Sequence, residues 1–176
     1  MTPSFFPHDL VGYLDAQKIT GQVFNSNVGG GFFLYHHYPE RLPLTDGRWE
    51  IYDLQELTAI RQAPHQPQLW SWMVDKYDIQ ALLLLHASPE ADALLPKLPT
   101  DSQWRLVYLD KAASLWLRHD LVSEGQTLDL NPADFTIPKV SRIDDVFILD
   151  RFFRPIGMPK VRIENLKRGL QFESNH

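Results

Sequence analysis

Apolar positions recur along the chain in two rhythms, and the rhythm changes at nearly every proline. Phe6, Leu10, Tyr13 and Leu14 share one side of a 3.6-residue repeat, which predicts a helix over Pro7–Gln17. Pro7 suits its first turn, where a missing N–H costs nothing. After Gly21, Gln22–Asn25 reads as a short strand. A weakly patterned helix follows over Phe32–Tyr38 and stops at Pro39. Arg41–Thr45 reads as a second strand, with Pro43 placing it near an edge or a strand start. Leu54, Leu57 and Ile60 predict a helix over Glu50–Gln62. Trp70, Met73, Val74 and Tyr77 predict another, opened by Pro67 and running to Tyr77. Ile79–His86 is the clearest strand, because its unbroken apolar run suits burial on both faces. Glu90–Leu98 reads as a short helix closed by Pro99. Trp104–Leu109 and Ala113–Arg118 read as strands joined through Asp110-Lys111-Ala112.

Strands alternating with helices predict an α/β fold of three layers, Rossmann-like, with a mostly parallel sheet and an antiparallel C-terminal hairpin. This α/β domain is expected over residues 1–120. Residues 121–140 carry Gly125, Pro132 and Pro138 without a clean period and read as a linker. In residues 141–176, Ile143, Val146, Phe147 and Phe153 line one helix face, and Ile163, Leu166 and Leu170 another. Together they predict a small helical extension, broken between Pro155 and Pro159.

Composition narrows the function classes. The 176 residues are 44% apolar with a net charge of −5. That balance predicts a real core and disfavours a nucleic-acid partner, which needs a basic face. No stretch approaches the roughly 20 apolar residues of a membrane span, and the start of the chain lacks a secretory signal pattern. With no cysteine, disulfides, thiolate metal sites and a cysteine nucleophile are excluded.

Candidate chemistry gathers between Gly21 and Tyr52. Gly29-Gly30-Gly31 lies between a predicted strand and a predicted helix, where N–H groups can face a phosphate. Its spacing fits neither GxGxxG nor the Walker pattern. Tight helix–sheet packing is the other reading of the same glycines. Asn25, Asn27 and Asp46 fall at or just after two strand ends, the rim where open α/β sheets bind ligands. Sugar or metal binding there competes with plain turn capping. Arg48 suits either a phosphate or an ion pair with Asp46 or Asp53. His36 and His37 diverge by about 100° on a helix and do not share an ion. No GxSxG, HExxH or cofactor motif is present, and the spacing of Asp46, Glu50 and Asp53 does not select a glycosidase pair. Trp70 and Trp104 fit core positions, whereas Trp49 and Trp116 suit either surface aromatics that stack on sugars or, more commonly, core or edge packing.

The pieces Val23-Phe24-Asn25, Asn27-Val28-Gly29-Gly30 and Thr45-Asp46-Gly47-Arg48, with Tyr52 beyond, form an ordered pattern. It continues through Lys76-Tyr77, the strand Ile79–Leu85, Trp104 with Tyr108 and Asp110, and Arg118. Over residues 7–120 this pattern resembles the soluble segment of bacterial and archaeal multi-pass membrane proteins. Those proteins are related to glycosyltransferases that use lipid-linked sugars, the protein-mannosyltransferase-like group. Val28 and Gly31 depart from it, since many relatives carry Trp or Tyr before a glycine pair.

The resemblance implies a soluble accessory domain on the extracytoplasmic side, tethered through a parent chain and recognising a glycan, an acceptor or a partner protein. The acidic residues of sugar transfer lie between membrane helices in that group, so it implies no catalysis by this chain and no cofactor. It also implies tetratricopeptide-type helices after the domain. The ligand-binding candidates are Asn25, Asn27, Gly29, Gly30, Asp46 and Arg48. Two alternatives stand beside this reading: an α/β enzyme acting on a sugar or phosphate ester through Asp46, and a scaffold docking through an apolar face on Ile143–Leu170.

Overall fold

The computed structural model describes residues 6–17, 19 and 21–173, without the side chains of Trp49 and Glu173. Eleven regular elements follow in order. They are α1 (His8–Asp15), β1 (Gln22–Asn25), α2 (Gly30–His37), α3 (Leu54–Gln62), α4 (Pro67–Lys76), β2 (Ile79–Leu85) and α5 (Pro89–Leu94), then β3 (Trp104–Leu109), β4 (Ala113–Arg118), α6 (Ile143–Phe153) and α7 (Pro159–Glu173).

The sheet has four strands in the order β1-β2-β4-β3. Only β1 and β2 are parallel; β4 pairs antiparallel with both β2 and β3. The expected mostly parallel sheet is therefore corrected to a mixed one with a single parallel pair. The expected strand at Arg41–Thr45 shrinks to one parallel bridge between Val23 and Pro43. Proline has no N–H to continue a ladder. The hairpin then turns β4 inward against β2, so what was expected as an edge decoration supplies half the sheet.

Alternation along the strands sends side chains to two cores. Phe24, Leu82, Leu84, Leu106 and Trp116 join one apolar cluster with α3, α4 and α5. Val23, Ala81, Leu83, Leu115 and Leu117 join the other, with Leu10 and Leu14 of α1 and Phe33 of α2. The sheet is thus covered on both faces. β2 is buried at all seven positions, which explains its unbroken apolar run.

Residues after 120 contribute to the first of these cores. Ile137, Leu149, Phe152, Phe153, Met158 and Val161 pack in the same cluster as Leu82 and Trp116. Burying a Phe side chain contributes roughly 1.5–3 kcal/mol, so Phe152 and Phe153, both fully buried, fasten α6 to the sheet. Leu128 N–H also donates to the Leu106 carbonyl at 2.8 Å, laying the connecting segment along the free side of β3.

Local signals account for most helix ends. Asp53 caps α3 by accepting from Gln55 and Glu56 N–H at 2.9 and 3.1 Å. Pro67 opens α4 as its first residue. Asp78, in the left-handed region at φ 45°, turns the chain from α4 into β2. A Cβ on Gly21 would lie 2.2 Å from the Asp78 carbonyl oxygen, so that turn admits only glycine beside it. No helix among the described residues is long and apolar enough to cross a membrane.

Candidate functional site

The carboxyl end of β1 and the 44–48 segment beside it carry the polar residues singled out above. Asn25 is 2% exposed and uses its whole amide. Its Nδ2 donates to the carbonyls of Thr45 at 2.8 Å and Ser26 at 3.1 Å. Its Oδ1 accepts from Leu44 N–H at 2.9 Å and Thr45 N–H at 3.5 Å. Two donors and two acceptors are all that an amide offers. Asn25 thus replaces the ladder that Pro43 interrupts, tying the 43–45 segment to β1.

Asp46 follows and is equally buried, at 2%. Its Oδ1 accepts from Arg48 N–H at 2.9 Å. Its Oδ2 accepts from Arg48 Nε at 3.0 Å and Nη2 at 2.6 Å. These bonds, the guanidinium's first, hold the carboxyl below its ordinary range against the opposing effect of burial. Asp46 N–H donates to the Tyr52 hydroxyl at 3.1 Å. Burial, and then the Asp46 charge, push that phenol up. The Arg48 guanidinium lies outermost and about half-exposed.

The glycines answer to packing. A Cβ on Gly30 would stand 2.2 Å from the Thr45 carbonyl oxygen and 2.6 Å from Asp46 Cα. The chain's own 45–46 backbone lies against this helix start and leaves no room for a side chain at Gly30. On Gly29 a Cβ would press on Leu85 Cδ1 at 3.2 Å, whereas Gly31 has open space. Asn27 N–H reaches Glu90 Oε1 at a long 3.4 Å. Asn27 Oδ1 and Glu90 Oε2 are buried there without a hydrogen-bond partner among the described residues.

A second polar pair closes this rim from within. Ser26 and Ser88 are fully buried, with their hydroxyls 2.7 Å apart. Ser26 Oγ accepts from Leu85 N–H at 3.0 Å, and Ser88 Oγ caps α5 by accepting from Ala91 N–H at 3.2 Å. Two hydroxyls so occupied make a joint between β1, β2 and α5. The sequence signal for Ser88 was Ser-Pro-Glu, the start signature of a helix.

The remaining candidates separate. His37 is buried with Nδ1 3.1 Å from Asp15, while His36 is exposed against Phe32. Burial, more than Asp15 can offset, lowers the His37 pKa. Among the described residues no group of three or more His, Asp or Glu is placed to hold a metal. Trp104 is buried as expected. Trp116 is buried too, so the packing reading holds for it and the surface reading does not; the Trp49 side chain lies outside the described residues. Asp110 holds the β3–β4 turn by accepting from Ala112 and Ala113 N–H at 2.7 and 2.8 Å. Tyr108 hydroxyl donates to its other oxygen at 3.1 Å.

Open space lies elsewhere. A cavity of about 730 Å³ opens at the far end of β1, beside Gln22, Arg41 and Asp78. One of about 510 Å³ lies along β3, beside Asp101, Arg105 and Leu128. A third, of about 330 Å³, is an apolar groove between α6 and α7. No protein family, curated protein or solved structure matches the chain.

Proposed function

We propose that this chain is a non-catalytic accessory domain of a membrane glycosyltransferase-like protein, which recognises a glycan, an acceptor or a partner protein. The observation that carries the non-catalytic part is the state of Asp46. A general acid, base or metal ligand needs a free oxygen facing a site. Both Asp46 oxygens are bonded to Arg48, and the carboxyl is 2% exposed. Asn25 likewise has no hydrogen-bonding capacity left. The burial and pairing of Asp46 count against the enzyme alternative, which relies on it.

On this reading the β1–β2 crossover, through α2, α3 and α4, is the Rossmann-like part of the resemblance. The domain sits on the extracytoplasmic side, tethered through its parent chain, with the helices after residue 140 as the start of a helical array. The scaffold reading is favoured by one specific feature: Phe147, Ile163 and Leu170 on α6 and α7 are more than half exposed.

The test is a turnover screen with nucleotide sugars and phosphate esters on the wild type and Asp46→Asn, beside a glycan-binding screen on both. No turnover by either protein is expected. Turnover by the wild type that the variant loses would overturn the reading. Membrane spans encoded next to this segment in the full-length product are expected, and their absence would remove the parent-chain part.

A further inference from the structure

The helices α6 and α7 form an antiparallel hairpin with one side unfilled. Arg162 Nε reaches Asp150 Oδ1 at 2.7 Å, and Asn165 Nδ2 donates to the Val146 carbonyl at 3.0 Å. Gly169 faces Val146 so closely that a Cβ there would lie 3.4 Å from its Cγ1. These contacts fix the helices side by side and fasten them to the core through Phe152 and Phe153. Over them runs the groove of about 330 Å³, lined by Ile143, Val146 and Phe147 on one side and Ile163, Leu166 and Leu170 on the other. Phe147 is 58% exposed, Ile163 55% and Leu170 65%.

The spacing is that of a helix seat. Ile143 and Phe147 are i and i+4; Ile163, Leu166 and Leu170 are i, i+3 and i+7. From Ile163 to Leu170 the groove runs about 10 Å, two helical turns.

Charge says what fills it. The acidic groups of α6 are already engaged: Asp144 by Arg142, Asp145 by Lys111, Asp150 by Arg154 and Arg162. On α7, Glu164 is paired with Arg168 at 3.7 Å. Lys167 lines the groove and has no ion-pair partner among the described residues. An apolar trough with one uncompensated ammonium at mid-length matches an amphipathic helix whose apolar stripe is flanked by a carboxylate.

A second copy of this chain is the wrong occupant. Two-fold pairing of the stripe centres between Leu166 and Lys167 and brings the two Lys167 ammoniums together.

We infer that the α6–α7 groove is the docking seat for an acidic amphipathic helix of a partner protein, with Lys167 reading its carboxylate. The inference rests on the recognition role proposed above and gives that role a ligand class.

The test uses the full chain and two labelled helical peptides. Both carry leucines at i, i+3, i+4 and i+7; one has Glu and the other Lys beside the stripe. By fluorescence anisotropy the wild type is expected to bind the Glu peptide about tenfold more tightly than the Lys peptide, with Lys167→Glu reversing the order. Phe147→Ser, at an exposed position, is expected to weaken both peptides without changing the melting temperature. Equal affinity for the two peptides, or binding of neither, would overturn the inference. So would a dimer in sedimentation that Phe147→Ser dissolves. Turnover lost in Asp46→Asn would instead strike the recognition role and leave the peptide result standing, so the two failures are distinguishable.

Discussion

His86 is expected to make the stability of this protein sensitive to mild acid, because its imidazole is buried. The imidazole follows the last residue of β2, has no exposed surface and lies 5.0 Å from the Phe152 ring, centroid to centroid. Neither ring nitrogen has a hydrogen-bond partner among the described residues. Burial pushes its pKa down to about 3. In the unfolded chain an imidazole titrates near 6.5. A folded pKa below the unfolded one means that the unfolded state takes up the proton first. The stabilising contribution is complete above about pH 6.5 and is lost as the pH falls toward about 3. At about pH 5 the two titration curves differ by about 1.5 logarithmic units, or about 2 kcal/mol at 1.36 kcal/mol per unit.

Urea unfolding followed by tryptophan fluorescence at about pH 8 and about pH 5 measures that difference while most carboxylates remain ionised. The wild type is expected to lose about 2 kcal/mol through His86, with a further contribution from the buried His37, whose pKa is also lowered. His86→Leu keeps the apolar contact with Phe152 and removes the titrating group. It is expected to cancel the His86 share of the loss and to be neutral or stabilising at about pH 8, where it removes two unsatisfied nitrogens. An unchanged loss in the variant would refute the assignment to His86.

Three further predictions test the rim. Gly30→Ala forces a methyl into the Thr45 carbonyl and should cost about 2–4 kcal/mol; Gly31→Ala, one residue on in open space, should be neutral or stabilising by up to about 1 kcal/mol. Thermal unfolding of the two variants compares them directly. Asn25→Ala strips three hydrogen bonds from the 44–45 segment and leaves buried Leu44 N–H and Thr45 carbonyl groups unpaired, an expected loss of about 3 kcal/mol by urea denaturation. A double-mutant cycle of Ser26→Ala and Ser88→Ala should give a coupling of about 1 kcal/mol, because each hydroxyl is the other's partner; strict additivity would deny the joint.

Much of the fold was legible where side-chain pattern alone decides the outcome. Trp104–Leu109 and Ala113–Arg118 have the bounds that their periodicity predicts, and a helix forms over Ile143–Phe153, where apolar residues line one predicted helix face. Sheet direction was not legible, because helices between strands imply parallel neighbours only when every strand forms. Pro43 reduced one strand to a bridge, and β4 took the place beside β2. At the rim, the residue types pointed to Asn25, Asp46 and the glycines, but type does not tell a bound ligand from a bound backbone. Only the coordinates put the Thr45 carbonyl over Gly30 and the Arg48 fork on Asp46. Ser26 escaped notice because nothing local marks it; its partner lies 62 residues away.

The segment around Leu128 carries a consequence for handling the molecule. By donating to Leu106 it occupies part of the outer flank of β3, where unpaired amides would otherwise invite another chain. Trimming the protein after residue 120 would strip that guard and also uncover Trp116 and Leu82, which pack with Phe152 and Phe153. Such a fragment is expected to add strand to strand between molecules and to come out of solution as β-rich aggregate. In the full chain the segment around Leu128 keeps part of the flank of β3 covered.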